Sequence, residues 1–393
     1  MEPEVPPHAP HAAPTEDAAN DPLNDFPALA GAVRPAVPLG PPEPGSVEWF
    51  FLGANGLRAG WSIAIFLPLL SIFASIAGAL LFLTHLVGRN ADSSRNASFW
   101  GELAMVIGMA AAAAIVAFIE QRRLNLLEYN LIDSRRWRHL LVGSVAGFAA
   151  LSLLVGLLKA GGWLTLAPSG LALPALLRCA AFWAAMFLLV GLFEEGTFRC
   201  YLQATLSRGL NLWWALGIQT AACAGLFAFS KGNGVWGVYL MAVLGLPPCL
   251  WLALRKAHSA GFWLAAWGTS TLFGVLHTGN NGENWIGIFA VTAIGFVFVA
   301  SVRVTGSAWW AIGFHAAWDW AETYFYGTAN SGMQAKDSLM ISRPAGNVFW
   351  SGGTDGPEGS ILVLGVILVT LACLLLAYGR NRAAGDPASQ IQA

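Results

Sequence analysis

Ten separate apolar runs, each close to the length that crosses a bilayer, constrain this chain more than any other feature. A spanning helix needs about 20 mainly apolar residues. Runs of that kind fall at 61–87, 99–118, 140–158, 174–201, 212–229, 235–254, 262–277, 285–302, 308–325 and 361–378. The predicted fold is therefore all-α, a polytopic transmembrane helix bundle of about 8–10 spans. Composition excludes the alternative of a soluble globule. Only 11% of residues are charged and 56% are hydrophobic, whereas soluble chains carry about 25% charged residues. A net charge of −1 leaves no footprint for nucleic acid. The adjacent prolines Pro247 and Pro248 remove two backbone donors and are expected to kink or break the sixth run.

Outside the runs the chain divides simply. Residues 1–57 are acidic and rich in Pro and Ala, with no basic start and apolar core of a signal peptide, and read as a disordered tail. Residues 58–170 hold the first transmembrane helices and 171–330 a catalytic transmembrane core. Residues 331–358 form an extramembrane loop, and 359–393 the final span and a C-terminal tail. Lys and Arg cluster at Arg122, Arg123, Arg135, Arg136 and Arg138. Placing that loop inside puts both termini in the cytoplasm, although Arg89 and Arg95 then lie outside. The segment 125–137 reads equally as an interfacial helix or a solvated loop. The five cysteines lie in apolar stretches without CxxC spacing and read as buried small residues.

Ionisable groups in mid-membrane cost at least about 2.5–3.5 kcal/mol each on insertion scales, and persist where they pair or work. Three runs carry them. The fourth holds Glu194, Glu195 and Arg199, the seventh ends in Phe273 and His277, and the ninth holds His315 and Asp319. Glu195 and Arg199 are four residues apart and can pair along one helix. Glu194 is turned about 100° from Glu195 and can face elsewhere. If the fourth helix continues to a turn near 207–211, then Glu194, His277 and Asp319 all lie roughly 20 Å from the same side at ~1.5 Å per residue. In such a dry layer, a carboxylate held by imidazole can take a proton from water. A second imidazole with a polar neighbour can hold a developing oxyanion. Glu194 is the expected base and Glu195, beside Arg199, the structural acid. Glu322 is left outside this set, as a supporting acid or a pore-rim charge. Glu102 is expected to point to water, and His85, His139 and His258 to sit at span ends.

These three segments, Glu194-Glu195-Gly-Thr-Phe-Arg199, Phe273-Gly-Val-Leu-His277 and His315-Ala-Ala-Trp-Asp319, resemble the motifs of the CPBP family of intramembrane proteases. That family includes the type II CAAX prenyl endopeptidases and the Abi bacteriocin-immunity proteins. The resemblance runs from about residue 174 to 325. It implies an endopeptidase acting on membrane-embedded or lipidated, CAAX-like peptide substrates, in the bacterial inner (plasma) membrane. It further implies that Glu194 activates water with help from His277, that His315 and Asp319 stabilise the oxyanion, and that Glu195 and Arg199 organise the site. No tightly bound cofactor is expected. Zinc is the alternative, with Glu194, His277 and His315 as its ligands, although the HExxH signature is absent. The chain departs from the family at Gly196, at Cys200, and in two extra spans between the first two motifs. Two other functions compete: a non-catalytic immunity or binding protein, and a transporter that uses mid-membrane acids for coupling ions. A rhomboid-like serine protease is poorly supported, because Ser270 lacks a Gly-x-Ser-Gly setting.

Overall fold

The computed structural model describes residues 43–53, 56–84, 93–120, 135–230, 232–257, 259–280 and 282–383. Ten helices match the ten apolar runs: α1 Ala59–Leu83, α2 Ser93–Ile119, α3 Arg136–Ala160, α4 Leu173–Gly209, α5 Leu212–Phe229, α6 Val235–Leu254, α7 Ala260–His277, α8 Trp285–Thr305, α9 Trp309–Trp320 and α10 Leu362–Ala383. Eight are long and apolar enough to cross a membrane, and these fit an integral membrane protein. The other two are α7 and α9, which carry the second and third motifs. They tolerate polar side chains because other helices surround them. Thr269, Ser270 and Thr271 of α7 are buried. Gln203 of α4 donates to the Phe262 carbonyl and accepts from Thr269, and Gln219 of α5 donates to Trp267 and Thr271. Such interhelical bonds take over where apolar surface gives no driving force in lipid.

Small residues set the closest helix pair. A side chain at Gly143 or Gly147 of α3 would run into the backbone carbonyls of Trp310 and Phe314 on α9, and one at Gly313 of α9 into the Leu140 carbonyl. The two backbones are thus in direct contact, in the manner of small-residue membrane interfaces. This contact fixes α9 and the motif it carries. A core of Leu151, Leu154, Leu158, Phe298, Phe314 and Trp318 fills the space among α3, α8, α9 and α10.

The structure narrows two expectations. Helix α6 runs unbroken through Pro247 and Pro248. Proline deletes a donor but its φ suits a helix, and buried Gly245 and Cys249 on either side keep the segment packed, with Gly245 against the Trp267 indole. The expected disordered tail falls mostly outside the described residues, but its end is ordered. Val47–Phe51 forms a short helix capped by the Ser46 hydroxyl, and a two-residue ladder follows it. The aromatic residues Phe50 and Phe51 pack on Trp61, whose indole donates to the Phe50 carbonyl. The 121–134 segment, Arg89 and the histidines His85 and His258 lie outside the described residues. His139, in the first turn of α3, is buried beside the Tyr378 ring.

The 331–358 loop is folded. Strand β1, Leu164–Pro168, pairs antiparallel with β2, Met340–Pro344, joining this loop to the α3–α4 connection. Asn284, at the start of α8, caps that helix with its Oδ1, gives its backbone N–H to Asp355 and its amide to the Gly359 carbonyl. The loop is thereby pinned over one end of the bundle.

Candidate active site

The acids of the first motif sit where α4 changes its winding. The α-helix ends at Glu195, a π-helical stretch covers Gly196–Leu202, and α-helix resumes at Gln203. Gly196 begins the wider turn, as the loosening expected of glycine suggests. Such π segments in a long helix frequently mark functional sites. A second one, Ala321–Phe325, follows Asp319 on α9. The expected continuation of α4 past 201 is present, and the helix runs to Gly209.

Glu195 and Arg199 form a dry ion pair, Nε to Oε2 3.1 Å, with side chains 0% and 1% exposed. The guanidinium lies 4.2 Å from the Phe273 ring centroid, with Phe298 and Phe198 also in range. Its two terminal nitrogens have no hydrogen-bond acceptor, so the aromatic faces and Glu195 carry the compensation for its burial. Gly295 leaves room for Nη2. The other oxygen of Glu195 lies 2.9 Å from His315 Nδ1. His315 Nε2 then lies 3.5 Å from Asp319 Oδ2 and 3.8 Å from Glu194 Oε2. A continuous polar chain thus runs Arg199–Glu195–His315, and ends between Glu194 and Asp319.

His277 is held differently. Its Nδ1 lies 2.8 Å from the Phe273 carbonyl. A carbonyl only accepts, so Nδ1 is the donor in this bond, and in the neutral ring Nε2 then presents a lone pair. The Phe273 ring packs on His277 at 4.6 Å and touches the Arg199 cage. The second motif thereby links His277 to the first through its phenylalanine.

Glu194, His277, His315 and Asp319 all line one cavity of about 840 Å³. Its walls are mostly apolar and aromatic, including Phe182, Trp183, Phe187 and Phe298. Glu102, half-buried, also lines it. Residues 330–337 close one side, with Lys336 exposed at the rim. The zinc triad considered from sequence is not the gathered donor set. Among the described residues, the group whose ligand atoms all come within 4.8 Å of one another is Asp319, Glu322 and Glu358. Both imidazoles of the triad give Nδ1 to a protein acceptor, which leaves Nε2 of each for a ligand, and His315 Nε2 lies 3.5 Å from Asp319 and 3.8 Å from Glu194.

The loop contributes acids that no motif announced. Glu358 accepts the Trp318 indole N–H at 2.7 Å. Burial and its carboxylate neighbours push Glu283 up to about 7 and Asp355 up to about 8, because desolvation disfavours the charged form. Only position in space groups Glu283, from the α7–α8 connection, with Asp355 and Glu358 of the loop. The five cysteines are free thiols.

Fold and site together define a polytopic α-helical membrane protein with a carboxylate–imidazole centre facing an internal cavity. Residues 248–321, under a fifth of the chain, match the family model described as type II CAAX prenyl endopeptidase Rce1-like, in keeping with the family that the motifs resemble. The match spans the Phe273–His277 and His315–Asp319 motifs but not Glu194–Arg199. No curated protein and no solved structure matches the chain.

Proposed function

We propose that this chain is an intramembrane endopeptidase that hydrolyses peptide bonds of membrane-embedded or lipidated, CAAX-like substrates with a water activated by Glu194. The observation that carries this reading is the placement of Glu194 and the Nε2 edge of His315 on one apolar-walled cavity, with the far side of His315 anchored by buried Glu195 and Arg199. The family match over residues 248–321 supports the reaction class.

Glu194 takes a proton from water as the water oxygen attacks the scissile carbonyl, and returns that proton to the leaving amine. The bare Nε2 of His277 accepts the second water proton as a hydrogen bond and aims the lone pair. His315 is held by Glu195 so that, as imidazolium, it presents Nε2–H to the developing oxyanion. Asp319 helps there only while it carries a proton, since a second anion would repel the oxyanion. Arg199 neutralises Glu195, which keeps that carboxylate an acceptor for His315. Because Glu194, His277 and His315 do not gather one donor each, no step is assigned to zinc. The family resemblance favours the bacterial inner membrane, and the distribution of Lys and Arg favours both termini in the cytoplasm.

The test uses purified protein in proteoliposomes with a prenylated and an unprenylated C-terminal peptide. The expected result is cleavage of the lipidated peptide, lost in Glu194→Ala. Ion flux without cleavage would replace this reading with the transporter. Immunity that survives Glu194→Ala would replace it with a non-catalytic protein.

A further inference from the structure

Three carboxylates gather beside the site, Asp319 and Glu322 buried and Glu358 half-buried, and the mechanism above gives work to Asp319 alone. Asp319 ends the α9 motif, Glu322 lies in the π turn that follows, and Glu358 comes from the loop before α10. One oxygen from each lies within 4.8 Å of the others. Three anions at that separation repel strongly in a dry site. Among the described residues, none of the three forms an ion pair with Lys or Arg; Asp319 has only His315, which it shares with Glu194 and Glu195.

Glu322 carries the argument further. Its side chain is 0% exposed, and neither carboxylate oxygen has a hydrogen-bond partner. The Trp318 indole N–H, which also acts on Glu322, makes its 2.7 Å bond to Glu358. An unpartnered carboxylate is among the costliest groups to bury, and buried charges are paired or bind metal. Beyond the trio, Asp355 is also 0% exposed and leaves Oδ1 unpartnered, and it acts electrostatically on Glu322.

We infer that Asp319, Glu322 and Glu358 form a binding site for a hard divalent cation of the Ca²⁺, Mg²⁺ or Mn²⁺ class, joining the 331–358 loop to helix α9 beside the cavity. The donors are all oxygens, which suit these cations, while a zinc site would draw on imidazole or thiolate. The cation balances charge that nothing else balances. It also fixes Glu358, and with it the loop, over the end of the cavity. This site shares Asp319 with the oxyanion end of the mechanism above but uses none of Glu194, His277 and His315, and its binding test does not rest on the peptidase reading.

The experiment uses full-length protein in detergent, freed of metal by chelation. Tb³⁺ is the probe, because a bound lanthanide next to Trp318 is excited through that indole. Saturable Tb³⁺ emission that Ca²⁺ or Mn²⁺ displaces is expected, with a cation-dependent rise in Tm as ligand binding to the native state requires. Glu322→Gln and Glu358→Gln should each weaken binding by about tenfold or more. His277→Ala and Glu194→Gln should leave the affinity unchanged. Trp318→Phe should dim the emission while the Ca²⁺-dependent Tm rise remains. Glu358→Gln lies in the loop, so it serves if Glu322→Gln does not fold. Absence of both emission and Tm shift in the wild-type protein overturns the inference. So does binding that disappears in His277→Ala but survives both glutamate substitutions, which would move the cation to the imidazole centre.

Discussion

His315 Nδ1 lies 2.9 Å from Glu195 Oε1, and this one bond couples the first and third motifs across helices α4 and α9. It makes the Glu195–Arg199 pair more than a staple. The pair selects which nitrogen of His315 faces the cavity, and so what His315 can offer a substrate.

Breaking that pair should separate stability from activity. Arg199→Met leaves Glu195 charged and buried, at a cost of about 3–5 kcal/mol. Replacing both residues, as Glu195→Leu with Arg199→Met, removes both charges and should restore much of the lost Tm. Turnover should stay lost in the double variant, because His315 has no anchor. Thermal denaturation and peptide cleavage on the same preparations check both statements.

The α3–α9 contact offers a test of how position reaches chemistry. Gly143→Ala puts a methyl into the Trp310 backbone carbonyl. Overpacking of this kind costs about 1–3 kcal/mol. Because α9 holds His315 and Asp319, kcat should fall with Tm, while Gly156→Ala in the same helix, where a side chain meets open space, should alter neither.

Glu283, between α7 and α8, and Asp355, in the loop packed against it, set a pH dependence at this end of the bundle. Their folded pKa values, about 7 and about 8, lie above the usual carboxylate range. A carboxyl group that holds its proton more tightly when folded stabilises the fold at low pH. That contribution is complete below about pH 4 and is lost as pH rises through about 7 to 8. In chelator, the wild-type Tm should therefore fall between pH 5 and 8. Glu283→Gln or Asp355→Asn should flatten that slope, which thermal scans across pH measure directly.

The membrane architecture was legible because each apolar run records its own burial in lipid. Glu194, His277, His315 and Asp319 were legible because charge is so rare in such runs. The continuity of α6 through Pro247 and Pro248 was not, since it depends on neighbours such as Trp267. Glu322 gave a signal, an acid one turn beyond the third motif, but nothing local tied it to Glu358. That meeting depends on a loop pinned by Asn284 and by the β1–β2 pairing, both long-range contacts. The π turns at Gly196–Leu202 and Ala321–Phe325 likewise follow from packing around the site and not from propensity.

The central claim is that Glu194 serves as the base for an intramembrane water. The most direct measurement is single-turnover cleavage of a lipidated peptide by wild-type protein and Glu194→Gln, an isosteric change that keeps the fold but cannot take the proton. The account predicts a fall of about 10²–10⁴ in rate with Tm unchanged. Cleavage by Glu194→Gln at the wild-type rate would contradict it.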